Sequence, residues 1–318
     1  MPDNNRHAAK DNAHPDLSEL AGGIAVITGG ASGIGYSLAE TAIDHGLHPV
    51  IADIDLESIT TAERSLQQRA KHAGVEVFGV QVDVSSEQQV EQLAKSISAR
   101  FPVKPISLLC CNAGVGAGGN VLTASHLDWD FVLGVNVKGV ANCVRVFVPL
   151  MMSQQGPGSV VMTSSQDGLC AAQGVYGVSK HACVALSEAL YQEVLGRVSV
   201  HVLCPNLVAT NIFKSEQHRP ERYGGTLKKV NTNQKLADRL KTWGMPTSTC
   251  ASMVFDAIRS GDFYILAEAE NDPGHIRRQV EVRMDAILNG GKPYRPHSEL
   301  IYRVIGRKYP YRKEAEYD

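Results

Sequence analysis

Long hydrophobic runs are missing from this chain: nowhere in its 318 residues does an uninterrupted apolar stretch approach the roughly 18 residues that span a bilayer. With aromatic residues at only 6% and a mean hydropathy of −0.13, no membrane-spanning segment is expected. An excess of either charge is missing as well, since 31 Lys and Arg against 33 Asp and Glu leave a formal net charge of −2. Without a global basic field, neither nucleic acid nor an anionic membrane surface is an expected partner. The seven cysteines (Cys110, Cys111, Cys143, Cys170, Cys183, Cys204, Cys250) are odd in number and show no CxxC or CxxH spacing. Neither a disulfide framework nor a metal site is indicated, and thiols embedded in apolar segments read as small buried hydrophobes of a reducing compartment. The eleven histidines show no pair at ligand spacing on one element, so no metal is expected. Residues 1–20 are polar, with neither an apolar signal core nor an arginine-rich amphipathic pattern, which makes the cytoplasm the expected location.

Present instead are short runs rich in Val and Ile, at Ile24–Ile27, Val50–Ala52, Val75–Val82, Ile106–Cys111, Val160–Thr163, Val198–Cys204 and Phe263–Leu266. Between them lie stretches such as Leu56–His72 and Glu87–Arg100, long enough for the crossover helices that parallel strands require. Strands that read as continuous apolar runs are buried on both faces. The pattern predicts an α/β fold, a doubly wound parallel sheet of seven strands in a single domain over 21–270. Flanking it are the polar tail 1–20 and an extension over 271–318 that carries Pro273, Pro293, Pro296 and Pro310. Residues 211–246, between the sixth and seventh strands, lack a strand pattern and carry eight basic against three acidic side chains. They are expected to form a lid whose charges face water.

The first strand runs into Thr28-Gly29-Gly30-Ala31-Ser32-Gly33-Ile34-Gly35, with a helical stretch from Tyr36 to about His45 behind it. Glycines there allow a tight turn and close approach of the backbone to a pyrophosphate, whose charge a helix N-terminus stabilises. Asp53 ends the second strand 18 residues after Gly35, where a carboxylate can accept hydrogen bonds from adenosine ribose hydroxyls. The same carboxylate repels a 2′-phosphate, and Ala31, Ser32, Ile54 and Asp55 offer no cation to neutralise one, so NAD is preferred over NADP. Farther along, Tyr176-Gly177-Val178-Ser179-Lys180 places a phenol and an ammonium within one helical turn. A nearby cation favours phenolate and brings a tyrosine, ordinarily near ~10, toward the range useful for proton transfer.

Together these motifs resemble those of the short-chain dehydrogenase/reductase family of NAD(P)-binding Rossmann-fold oxidoreductases. The matches fall in family order from about Ala21 to Leu266: the glycine string, Asp53, Asp83-Val84, Cys111-Asn112-Ala113-Gly114, Asn136-Val137-Lys138-Gly139, Thr163-Ser164-Ser165, Tyr176 with Lys180, and Pro205-Asn206 followed by Thr210. The resemblance implies Tyr176 as catalytic acid/base, Lys180 as the cation that binds the nicotinamide ribose and assists it, and Ser165 as the group that orients the substrate oxygen. It further implies that Asn136 holds a water of a proton relay. Gly29, Ser32, Gly33, Ile34, Gly35, Asp53, Asp83, Val84, Asn112, Ala113, Gly114 and Thr210 would bind cofactor together with Tyr176 and Lys180.

The implied activity interconverts a secondary alcohol and a ketone, with an NADPH-dependent carbonyl reductase or a non-catalytic dinucleotide-binding regulator as alternatives. A homodimer or homotetramer is implied as well. Departures concentrate near the substrate. Ser165 precedes Tyr176 by 11 residues, a shorter gap than the family's usual one, which leaves Ser164 as a fallback and places Gln166, Gly168, Leu169 and Cys170 near the substrate. Asn206 stands where the family has glycine. Arg219–Gly225, with Thr210–Ile212 before it, is similar to a subgroup that oxidises aryl-alkyl secondary alcohols such as lignin-derived dimers, so a hydrophobic or aromatic substrate is expected.

Overall fold

A computed structural model describes residues 16–194, 196–226, 234–270 and 272–294, the side chains of 234–237 excepted. The first fifteen residues, Lys228 and Lys229 of the lid, and the extension beyond residue 294 with Pro296 and Pro310 lie outside the described residues.

The strands are β1 (Ile24–Thr28), β2 (His48–Asp53), β3 (Phe78–Gln81), β4 (Ile106–Cys111), β5 (Ser159–Thr163), β6 (Ser199–Pro205) and β7 (Tyr264–Ala267). All pair in parallel, in the order β3-β2-β1-β4-β5-β6-β7. The helices are α1 (Leu17–Leu20), α2 (Gly33–Asp44), α3 (Leu56–Ala73), α4 (Glu87–Arg100), α5 (His126–Leu133), α6 (Val140–Ser153), α7 (Gly174–Glu193), α8 (Gln234–Trp243), α9 (Thr247–Ser260) and α10 (His275–Leu288).

The continuous apolar runs have the expected cause. Along β1, Ala25 and Ile27 enter a core with Leu38, Ile43, Ile59 and Phe255 on one face of the sheet. Ile24 and Val26 face the opposite core, with Val90, Leu93, Phe147 and Cys183. Since successive side chains of a strand point to opposite faces, a sheet covered twice needs apolar residues at every position. All seven cysteines are buried free thiols.

Several boundaries differ from the sequence reading. The run Val75–Val82 is a strand only over Phe78–Gln81; Val75 instead donates its N–H to Ala70 O at the end of α3, beyond the left-handed Gly74. The polar N-terminal stretch ends in α1, capped by Asp16, whose Leu17 and Leu20 are buried. Helices α5 and α6 are joined by a wider π-helical turn over Gly134–Gly139, a form that recurs at functional sites. The helix His126–Ser153 contains an 18-residue window of mean hydropathy 1.5, yet 56% of that window is buried inside the protein. The sheet order reverses between β1 and β4, where a doubly wound sheet opens a crevice at the carboxyl ends of its strands.

Candidate active site

A cavity of about 890 Å³ lies along those carboxyl ends. At one end stands the turn between β1 and α2. Gly29 and Gly33 take φ values of +63° and +55°, which side chains rarely adopt. A Cβ on Gly35 would lie 2.1 Å from Gly29 O, so the turn closes only without one. Ser32, the residue before α2, makes no side-chain capping bond, leaving the helix's first N–H groups directed at the cavity end. Asp53 accepts hydrogen bonds from the N–H groups of Ala31 (3.1 Å), Ile54 (2.8 Å) and Asp55 (3.3 Å), which ties the second strand end to the turn. Asn112 spans three strands: its Nδ2 donates to Thr28 O and Gly29 O (3.1 and 3.3 Å) and its Oδ1 accepts from Thr163 Oγ1 (3.3 Å). The Thr28 hydroxyl, which sequence reasoning passed over, accepts from the N–H groups of Asn112 and Ala113 (3.0 and 3.1 Å).

At the other end stand β5 and α7. Lys180 is 3% exposed; its Nζ donates to Thr163 O (2.9 Å) and lies 5.6 Å from the centre of the Tyr176 ring. Burial pulls the Lys180 ammonium below its ordinary value. Asn136, in the π-helical turn, donates from Nδ2 to Val115 O (3.0 Å) and Ser179 Oγ (2.9 Å) and accepts from Val115 N–H (2.8 Å). Both of its amide hydrogens are thereby spent. Ser179 Oγ in turn donates to Tyr176 O (2.7 Å). The two candidate serines differ in bonding. Ser164 Oγ donates to Lys180 O (2.8 Å), whereas Ser165 Oγ accepts from Asp167 N–H (3.2 Å).

Of the residues singled out from sequence, Gly29, Ser32, Gly33, Ile34, Asp53, Asp83, Val84, Asn112, Ala113, Gly114, Ser165, Tyr176, Lys180 and Thr210 line the cavity. Gly35 and Asn136 support it from behind. A Cβ on Gly114 would lie 3.3 Å from both Asn136 Oδ1 and Lys180 Nζ, so this glycine keeps the passage between them open. In the loop after β5, Gln166 lines the cavity, but Gly168, Leu169 and Cys170 do not, against expectation. The chain turns in a short 3₁₀ helix at Gln166–Gly168, which packs Gly168 beneath Ser164 and Lys180 O and sends Leu169 into a cluster with Val184, Val202 and Cys204.

The lid's charges are not all directed at water, and here the sequence reading is corrected. Arg219, 2% exposed in its side chain, pairs with Asp128 (2.7 Å) and Glu216 (3.2 Å), donates to Tyr223 O (2.8 Å) and lies 5.0 Å from the Phe131 ring centre. Burial raises the Asp128 carboxyl, but hydrogen bonds from Arg219 and Ser125 outweigh it and leave the group below its ordinary value. Arg222 pairs with Asp83 across the cavity mouth at 2.5 Å and also bonds Ser85 Oγ. From the extension, Arg283 of α10 donates to Leu169 O at 2.8 Å. No local pattern announces the pairing of Arg219 with Asp128, of Arg222 with Asp83 or of Arg283 with Leu169 O, because each joins segments far apart in sequence.

A doubly wound parallel sheet whose crevice joins a glycine turn to a Tyr-x-x-x-Lys helix defines a nucleotide-dependent oxidoreductase. The chain belongs to the short chain dehydrogenase family, whose sequence model matches residues 23–221. It is 29% identical over 278 residues to a CLA biosynthesis dehydrogenase/reductase of Lactiplantibacillus plantarum, covering 84% of this chain and 93% of that one. It is also 29% identical, over 85% of this chain and 87% of the relative, to a C alpha-dehydrogenase of a Sphingobium strain. A solved short chain dehydrogenase/reductase from Burkholderia phymatum, in complex with NAD, superposes with a TM-score of 0.78 at 36% identity, over 88% of this chain and 99% of that one.

Proposed function

We propose that this protein interconverts a secondary alcohol and a ketone with NAD, using Tyr176 as acid/base. The observation that carries the reading is the buried Lys180 ammonium beside the Tyr176 ring. A cation there stabilises phenolate over phenol, so Tyr176 can take a hydroxyl proton during oxidation and return it during reduction. Lys180 spends one donor on Thr163 O and keeps two for a ribose hydroxyl and a relay water. With both amide hydrogens of Asn136 engaged, such a water can meet this residue only at an oxygen. Ser165 orients the substrate oxygen in preference to Ser164, because Ser164 gives its proton to Lys180 O while Ser165 only accepts from Asp167 and keeps its own to donate.

NAD fits the remaining wall. The tight turn at Gly29, Gly33 and Gly35, where a Cβ on Gly29 or Gly35 would strike backbone at 2.9 or 2.1 Å, brings the N-terminus of α2 to the cavity as a place for a pyrophosphate. Ser32, Ile34 and Asp53 would flank the adenosine ribose, Asp83 and Val84 the adenine, Asn112, Ala113 and Gly114 the central portion, and Thr210 the carboxamide. When bound, the cofactor supplies the hydride acceptor. An NADP-dependent reductase is the second reading, because Lys214 and His218 of the lid also line the cavity. Turnover with NADP equal to or better than that with NAD overturns the argument from Asp53.

The substrate is a small alcohol or ketone with an apolar or aromatic body. The Rossmann unit spans 21–270, with 211–246 as its lid and residues beyond 270 as an appended extension. Association as a homodimer or homotetramer through α6 and α7 is supported by Leu150 and Val178, 44% and 39% exposed on those helices. A monomer by light scattering contradicts it. Seven free thiols support a reducing, cytoplasmic setting. The decisive experiment is Tyr176→Phe, followed by reduced-cofactor absorbance with a panel of secondary alcohols. Turnover falls about 1,000-fold or more while NADH affinity stays within about 3-fold, and retained turnover refutes the role.

A further inference from the structure

Two amide side chains at the substrate end lack the partners that buried amides normally have. Asn206 Oδ1, Asn206 Nδ2 and Gln166 Oε1 are buried and make no hydrogen bond among the described residues. Both residues line the cavity, and Gln166 is 6% exposed. They stand on neighbouring strand ends. Gln166 lies three residues beyond the end of β5 at Thr163, past Ser164, whose N–H donates to Leu203 O, and Asn206 comes directly after β6, its N–H donating to Ala267 O of β7 at 2.9 Å.

Alternation along β6 gives their direction. Val202 and Cys204 share a cluster with Val184 of α7 and Leu169 of the loop after β5. Asn206 is next in that row, so it faces the side of the sheet that carries Tyr176, Lys180 and the 166–170 loop. A buried amide left unpaired is unfavourable in a core and useful in a binding wall, where a ligand group completes it. Burying an amide without a partner is costly, and at position 206 both the oxygen and the nitrogen of the amide carry that cost.

We propose that Gln166 and Asn206 form a polar subsite for a second hydroxyl group on the substrate, next to the carbon that reacts; this rests on the alcohol–ketone reading above. A hydroxyl suits the pair because it both donates and accepts: its proton serves an amide oxygen and its oxygen takes an N–H of Asn206. A bare ketone or ether would satisfy the donor alone and leave the amide oxygens unmet. The substrate class is therefore narrowed to vicinal diols and hydroxyketones with an apolar body. Gln166 and Asn206 act as specificity-determining residues and take no part in proton transfer.

The test compares vicinal cyclohexanediol with cyclohexanol, each with NAD, in the wild-type protein, Asn206→Leu, Asn206→Gly and Gln166→Leu, with NADH affinity followed by fluorescence. A site built to bond a hydroxyl discriminates strongly against an analogue lacking it, so the wild type favours the diol in kcat/KM by about 100-fold or more. Each variant lowers that ratio by ~10-fold or more, mainly through KM for the diol, while NADH affinity is unchanged. Equal use of diol and monool by the wild type overturns the subsite, and so does a variant ratio equal to the wild type's. A loss of NADH affinity that weakens both substrates alike assigns the amides to the cofactor and overturns it too. Failure of Tyr176→Phe to abolish turnover strikes the parent reading instead, so the two are separable. Two substitutions at 206, one isosteric and one to the smallest residue, keep the test readable if either folds poorly.

Discussion

The turn between β1 and α2 and the lid after β6 meet at one cavity but are held by opposite means. The turn is shaped by exclusion: Gly35 has no room for a Cβ against Gly29 O or Asn112 Nδ2, at 2.1 and 2.7 Å, and backbone N–H groups of Ala31, Ile54 and Asp55 converge on one carboxylate. The lid is held by long side chains reaching across the molecule, Arg219 to Asp128 and Arg222 to Asp83. Backbone packing tolerates little displacement, whereas an ion pair can open and re-form. A rigid wall and a wall able to open thus come from different interactions at the same cavity.

The comparison is tested most severely at the turn. Gly35→Ala forces a Cβ into backbone and should cost about 3 kcal/mol, or ~100-fold in NADH affinity. Affinity within about 3-fold of wild type breaks the account of the cradle. Next is Arg219→Met, which keeps most of the volume but strands Asp128 and Glu216. Since those carboxylates are 25% and 20% exposed, the expected local cost is about 2 kcal/mol, below that of a fully buried pair. It is read as faster proteolysis within 211–226, with the core melting temperature nearly unchanged.

The contribution of that pair has a definite pH sign. Asp128 is held below its ordinary value of 3.8, so the stabilisation is fully present above that value and is lost as pH falls below it, through the lowered folded value. The difference in proteolysis between Arg219→Met and wild type should therefore be flat from about pH 5 to pH 9. A slope in that range breaks the assignment to Asp128. The smallest effect belongs to Arg222→Ala. Its side chain is 45% exposed, so the pair with Asp83 is worth about 0–1 kcal/mol, and NADH affinity should change less than about 5-fold. That change should vanish near 1 M salt, where the screening length is roughly 3 Å.

How much of this was legible follows the same division. The strands were readable because burial on both faces demands unbroken apolar runs, and the glycine turn because its close approaches leave no alternative residue at positions such as Gly35. The Tyr176–Lys180 pairing was readable because one helical turn sets it. Less visible was α1, since Leu17 and Leu20 sit in an otherwise polar stretch and only packing shows that they are buried. The 3₁₀ turn that takes Leu169 and Cys170 away from the cavity depends on space beneath Ser164, and no run of residues encodes that. Arg219 looked like one more charge in a basic segment until Asp128 was brought beside it from 91 positions away.

By itself, then, the sequence determined whatever depends on neighbours along the chain: strand and helix periods, the glycine turn, the Tyr176–Lys180 spacing and, through these, the family. Tertiary structure decided which lid charges are buried, which serine hydroxyl donates within the protein, and that Gln166 and Asn206 line one cavity with buried amide atoms that have no hydrogen-bond partner among the described residues. The reason is range. Steric rules for backbone act between adjacent residues and leave a local pattern, while hydrogen bonds and ion pairs between side chains need only proximity in space, which folding alone supplies.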